Sequence, residues 1–294
     1  MSIRWVLTGL GVLSLSSVWA AAPPRPDSTQ VSNLAQLTAE QIVARNLAAR
    51  GGAPAWAAIH TMQMSGKLDA GRERKDGGAV VTSARQAKAR ERSLAEQIFA
   101  GKAPVPTIKV IRLPFKLDLQ RPNRMRLEIP FQGDTAIQTY DGRNGWKLRP
   151  FVGRHDVEAF NAEELAVASE QQELDGPLAN LAAKGTKVAV DGTDVIEGHP
   201  AYRLKLTLKS GAVRRLWIDG QSFLDVKFEG RPRRFDGKLR PVYTYYRDYR
   251  PEHGLMVAHR LETVIEGVDL REYIDIEKVA FNIELSGAQF GKPL

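Results

Sequence analysis

Tyr202-Arg203-Leu204-Lys205-Leu206-Thr207-Leu208-Lys209 is the stretch on which the fold turns. Apolar and polar residues alternate strictly, which is the period of a strand with one face buried and one face wet. Ser210-Gly211 comes next and leads into Ala212 to Ile218, and Asp219-Gly220 leads into Ser222 to Glu229. Both dipeptides are favoured hairpin connections, so the region reads as an antiparallel meander. Outward from it, the same texture recurs at Val242 to Tyr249, Leu255 to Ile265 and Glu272 to Ile283. Upstream it recurs at Thr61 to Leu68, Ile108 to Asp118, Asn123 to Ile129, Ala136 to Tyr140 and Trp146 to Pro150, with Asp141-Gly142 and Asn144-Gly145 as turns. About eleven strands with few helices imply a mainly β (α+β) chain built on one large antiparallel sheet, and so many twisted strands curl towards a barrel.

Helices enter at few places. Thr38-Ala39-Glu40-Gln41 is a capping box, with Ile42, Val43 and Leu47 on one side and Gly51-Gly52 as the stop, so a helix runs over 39–50. Pro54, Trp56 and Ile59 suit a short second helix. Asn161-Ala162-Glu163-Glu164 is another capping box, and Asp175 is placed to cap a helix containing Leu178 and Leu181 that Gly185 ends. Residues 69–105 break the strand texture: Gly71, Gly77 and Gly78 sit among charges, and Thr82 to Ala100 is rich in Ala, Arg and Glu. This is expected to be a basic helical insertion, either a membrane- or partner-facing element or a solvated helix with ion pairs.

The first twenty residues carry Arg4, an apolar stretch from Trp5 to about Leu15, and Val18 and Ala20 at the positions that a signal peptidase reads. Cleavage is expected after Ala20, with a flexible linker bearing Pro23, Pro24 and Pro26 over 21–37 and a single domain over 38–294. An exported, periplasmic chain without a lipid anchor is the expectation. The 294 residues include no Cys, which excludes disulfides, thiol nucleophiles and thiolate metal sites. With 42 Lys and Arg against 34 Asp and Glu the chain is basic, at +8. Export makes nucleic acid an unsuitable partner and leaves anionic lipid or an acidic protein.

No nucleophile elbow, phosphate loop, dinucleotide fingerprint or zincin motif occurs. His60, His155, His199, His253 and His259 fall on separate elements, and only His155-Asp156 with Glu158 resembles an acid–base or ligand cluster. It supplies the sole motive for a hydrolase, and a solvated loop explains it better. No enzymatic activity, metal or cofactor is therefore expected. The apolar strand faces instead suggest a concave cavity for acyl chains, lined by Trp146, Leu148, Leu204, Leu206, Trp217, Val226, Phe228 and Leu261, with Leu178 and Leu181 from the covering helices. A filled core is the alternative. Arg231, Arg233, Arg234, Lys238, Arg240, Arg247 and Arg250 are accompanied by only Asp236 and Asp248. The first five of these basic residues are expected to face an anionic membrane surface or an acidic partner.

Several short motifs occur in a characteristic order. They are Ala49-Arg50-Gly51-Gly52 with Trp56, Met62 to Gly66, Arg121-Pro122-Asn123-Arg124-Met125-Arg126-Leu127-Glu128, Asp141-Gly142-Arg143-Asn144-Gly145-Trp146, Gly198-His199-Pro200-Ala201-Tyr202-Arg203-Leu204, Leu216-Trp217-Ile218-Asp219, and Tyr249-Arg250 before Gly254-Leu255. From about Ala39 to Pro293 the chain resembles the periplasmic lipoprotein-carrier (LolA-like) superfamily of outer-membrane lipoprotein-sorting proteins. The resemblance implies an unclosed half-barrel with helices over its concave face, an interior that shields acyl chains, and transient contact with inner- or outer-membrane complexes. The 69–105 insertion and Ala258, where related chains commonly carry Pro before the His, depart from the pattern. Two readings result: a carrier of lipoprotein or other envelope-lipid acyl chains, and an envelope-sensing module of the same fold that contacts a protein partner.

Overall fold

The computed structural model describes residues 34–74, 108–150, 154–171, 174–235, 237–268 and 271–293. The expected signal segment, the linker up to residue 33 and the expected insertion helix over 82–100 lie outside these. The described chain forms helices α1 (Ala39–Ala49), α2 (Ala53–Ala57), α3 (Ala162–Gln171) and α4 (Leu181–Lys184), and strands β1 (Thr61–Arg74), β2 (Ile108–Gln120), β3 (Arg124–Phe131), β4 (Asp134–Tyr140), β5 (Gly145–Arg149), β6 (Arg154–Ala159), β7 (Lys187–Ile196), β8 (His199–Thr207), β9 (Val213–Asp219), β10 (Asp225–Glu229), β11 (Arg233–Phe235), β12 (Lys238–Arg240), β13 (Val242–Glu252), β14 (Leu255–Ile265) and β15 (Arg271–Phe281). Two compact units are distinguished. Of the described residues, one holds 34–68 and those from 113 onward; the other includes 69–74 and 108–112, where β1 runs on to Arg74 and Asp69 pairs with Arg112 at 3.1 Å. The first six residues of the expected insertion, 69–74, are thus strand.

Thirteen strands make one open sheet in the order β6-β5-β4-β3-β2-β1-β15-β14-β13-β10-β9-β8-β7, while β11 and β12 form a separate hairpin. Two meanders, β1 to β6 and β7 to β15, meet at the antiparallel pair β1·β15, where Met62 faces Phe281 and Leu68 faces Ile274. The edges are β6 and β7, which are consecutive in sequence. Residues 160–186 must therefore travel from one edge to the other. Laid flat, twelve strand spacings would span about 58 Å; residues 160–186, with α3 and α4 helical, reach at most about 65 Å, so the connection would have to run nearly straight, and a curled sheet shortens its path. The curl and the covering of the concave face by α3, α4 and the turns around them are one geometric fact.

Sequence signals account for the local structure. Both capping boxes form: the Thr38 N–H donates to Gln41 Oε1 at 2.9 Å and the Gln41 N–H to Thr38 Oγ1 at 3.3 Å, while the Asn161 N–H reaches Glu164 Oε2 at 2.8 Å and the Glu164 N–H reaches Asn161 Oδ1 at 2.9 Å. Asp141 and Asp219 close their hairpins by accepting backbone N–H groups two and three residues on. One strand goes unforeseen in the sequence and one expectation is corrected. Strand β7 pairs along its length with β8, yet a bulge between Val190 and Gly192 interrupts its alternation. The 175–180 stretch is a turn, because Gly176 at φ +81° and Pro177 break any helix there, leaving only the four residues of α4.

Candidate ligand-binding site

Leu204 and Leu206 on β8 stand beside Leu216 on β9, which faces Leu204 and is followed across the sheet by Phe228. Tyr202, Leu204, Leu206, Leu216 and Ile218 pack with Ile42 and Val43 of α1 and with Leu178 into one buried cluster, with Leu181, Val188, Phe223 and Phe228 at its margin. Each buried Leu or Ile here contributes about 2 kcal/mol. Of the ten residues expected to line a cavity, Leu178, Leu204, Leu206, Leu181 and Phe228 are brought together by this cluster. Leu261 belongs to the same face further along, beside Met62 and Ile276. Val226 sits half-buried at a bulge between Asp225 and Lys227.

The remaining three are elsewhere. Trp217 pairs with Arg203 and Lys227, the positions that alternate with Leu204 and Phe228, so it occupies the opposite face. Trp146 and Leu148 pair with Thr139 and Ile137, whereas Lys147 between them bonds Glu164 of α3 on the covered face. Both therefore turn away from α3, towards the face where the Thr139 hydroxyl donates to Gly291 O.

The cover is held to the sheet by polar contacts that the sequence does not reveal. Asp175 is buried, and its carboxylate accepts from Arg121 Nη2 at 3.2 Å and Asn180 Nδ2 at 2.9 Å, with Lys184 Nζ 3.7 Å away. Arg121 also donates to Ile59 O and Trp56 O. Arg50 donates through Nη1 to Asp175 O at 2.7 Å and lays its guanidinium over the Trp56 ring at 4.8 Å. Gly176 is needed at this point, since a Cβ there would lie 2.5 Å from Arg50 Nη1. Helix α4 contains no buried residue, so the span 174–184 rests on the buried Leu174, Leu178 and Ala179, on Leu181 at the cluster's margin, and on this latch. Below it is a cavity of about 30 Å³, lined by Arg50, Trp56, Met62, Asp225, Tyr246, Leu261 and their neighbours, with room for a water molecule or two. Burial pushes the Tyr249 hydroxyl beside it well above the ordinary phenol range, and that hydroxyl donates to Asp225 O at 3.0 Å.

On the uncovered face a register row runs Arg203, Trp217, Lys227, Tyr245, Glu262 and Tyr273 across six strands. Lys227 Nζ lies 4.6, 4.1 and 5.3 Å from the ring centres of Trp217, Tyr243 and Tyr245, and burial lowers its pKa. Trp217 Nε1 donates to Asp194 Oδ2 at 2.6 Å. The five basic residues expected to face a surface divide: Arg231 pairs with Glu170, Arg233 with Glu272, and Arg240 donates to Glu266 O, whereas Arg234 donates to Gly237 O of its own hairpin and is exposed, as is Lys238. Beside Lys238, Leu239 is 64% exposed. His155 and Asp156 are exposed on the edge strand β6, and Glu158 is taken by Arg149 and Arg154. Among the described residues no cluster could hold a metal.

No family model and no curated protein matches the chain. Solved structures do. A DUF1329 family protein from Desulfovibrio piger is similar with a TM-score of 0.50 and 11% identity, over 86% of this chain and 97% of that one. A LolA superfamily protein from Nitrosomonas europaea is similar with a TM-score of 0.49 and 14% identity, over 87% of this chain and 98% of that one. A domain assigned to outer membrane lipoprotein sorting, from Vibrio parahaemolyticus, is similar with a TM-score of 0.46 and 11% identity, over 85% and 94%. The likeness is one of fold. The large curled antiparallel sheet is what they share with this chain.

Two outcomes are expected. Asp175→Asn weakens the latch at a buried carboxylate, and a stability loss of about 2 kcal/mol by urea unfolding should result, with amides of 174–184 losing hydrogen-exchange protection first. Burial, then Glu266, raises Tyr243 to about 12 from an unfolded value of about 10, so the folded state binds its proton more tightly. Its stabilising contribution is complete below pH 10 and lost as pH rises through 12. Tyr243→Phe should therefore flatten the fall in urea midpoint between pH 10 and 12.

Proposed function

We infer that this chain is a non-enzymatic, periplasmic carrier or binding protein for acyl chains of a lipoprotein or another envelope lipid. The observation that carries the reading is the cover over the apolar concave face. Segment 174–184 crosses that face with Leu174, Leu178 and Ala179 buried but no buried residue in α4, and is fastened at Asp175 by Arg50 and Arg121. Polar latches exchange readily with water when they open, whereas a wide apolar contact does not. Lifting this span removes Leu178 and Leu181 from the strip of Leu204, Leu206, Leu216 and Phe228, against which α1 stays packed. The export signal expected at residues 1–20 supports the compartment.

A second reading is supported by the size of the cavity under Arg50. With room for only a water or two there, α1 and Leu178 act as permanent core, and the fold serves as an envelope-sensing module that contacts a protein partner. Native mass spectrometry of protein purified from its own host's periplasm separates the two. A co-purifying acylated species released on unfolding is expected; a consistently unliganded mass would sink the carrier reading in favour of the module.

Contact with an anionic membrane is assigned to the tip of the β11–β12 hairpin. Arg231 and Arg233 are spent on Glu170 and Glu272, which anchor the hairpin root, and Arg234, Lys238 and Leu239 remain outward. Two cations at about 1 kcal/mol each and one leucine at about 2 kcal/mol suit a transient contact. The double variant Lys238→Glu, Leu239→Asp should reduce co-sedimentation with phosphatidylglycerol vesicles at least tenfold at low salt. Unchanged binding would remove the hairpin from this role.

A further inference from the structure

Arg50 is 5% exposed, and its side chain makes a single hydrogen bond, to Asp175 O, among the described residues. A guanidinium offers five N–H groups and keeps its charge at any accessible pH. Around it the carboxylates are committed: Asp225 Oδ1 to Asn46 Nδ2 at 2.9 Å, and Asp175 to Arg121, Asn180 and Lys184. Neither forms an ion pair with Arg50. The same guanidinium lines the cavity beneath the latch, whose other walls include Trp56, Met62, Leu261 and Ile276. A buried cation without an ion-pair partner, in a cavity whose wall also carries the Asn46-bound Asp225, is costly by itself and is relieved by an anion brought in from outside. Its Nη1 contact is to a backbone carbonyl of the latch segment, so the group that receives the anion is also the group that holds the cover.

We propose that Arg50 is the headgroup site for an anionic single-chain amphiphile, a carboxylate or a phosphate, whose hydrocarbon chain runs over Met62, Leu261 and Ile276. The assignment rests on the carrier reading and adds to it the charge of the cargo. Entry of the headgroup gives Arg50 a fork-shaped partner in place of the Asp175 carbonyl, which couples loading to release of the 174–184 span. The Tyr249 hydroxyl stays protonated beside the site and adds no competing anion.

Isothermal titration calorimetry on the full chain with oleate, oleoyl lysophosphatidate and oleyl alcohol, each below its aggregation threshold, tests this. Binding of at least one of the two anionic probes at least tenfold tighter than the alcohol is expected, and which one distinguishes a fatty-acid carboxylate from a lipid phosphate. Arg50→Gln should bring that preference within threefold, and Arg50→Lys should keep part of it. The preference is a ratio measured on one protein, so loosening of the latch by the variant does not alter its reading, and the unmutated chain alone is decisive if Arg50→Gln does not fold. Equal affinity for alcohol and anions would overturn the headgroup site while leaving a carrier; no binding of any probe would overturn the carrier reading and this site with it.

Discussion

Everything in this fold depends on where the chain leaves one half of the sheet and enters the other. Strands β6 and β7 are consecutive in sequence but stand at opposite edges. The 160–186 connection can join them only by passing over one face, and a curved sheet gives it the shorter way. The curl thus supplies a concave surface and the crossing supplies its cover, so that a sheltered apolar interior comes from topology before any particular side chain is considered.

Chemistry then differentiates the two faces. On the covered face, leucines and isoleucines from β8, β9 and α1 interlock, and the crossing chain is fastened at Asp175 by two arginines. On the other face, arginine, tryptophan, lysine, tyrosine and glutamate succeed one another in register, with Glu262 buried between Arg247 and Arg271. Cross-strand charge pairs and the rings around Lys227 tie neighbouring strands on the side that no helix covers.

Much of this can be read in the chain itself. Residues 202–209 announce their strand because each Leu falls on the even position and each polar group on the odd one, and the turn residues Ser210-Gly211 and Asp219-Gly220 set where β9 and β10 begin. Extending that parity through the hairpin pairs Leu204 with Leu216 and sends Trp217 to the other face; choosing the largest apolar residue on β9 as a wall ignores it. Strand β7 is masked in the sequence because Asp191, Gly192 and Asp194 break its pattern at the bulge. The basic cluster is less dense in space than along the chain, since the partners that neutralise Arg231 and Arg233 are Glu170 and Glu272, far off in sequence. Arg50 is visible in Ala49-Arg50-Gly51-Gly52, but its burial against Trp56 and its reach to Asp175 arise only from tertiary packing.

The seam between β1 and β15 has a kinetic side. Met62 and Phe281 sit against each other at the middle of the sheet, so each meander exposes one long apolar edge until the other arrives. Closing so distant a contact is entropically slow, and the waiting edges are templates for pairing with other chains. A chain of this topology therefore gains from having its halves kept apart from their neighbours until both are present, and the speed with which the seam zips decides how much of it survives to function.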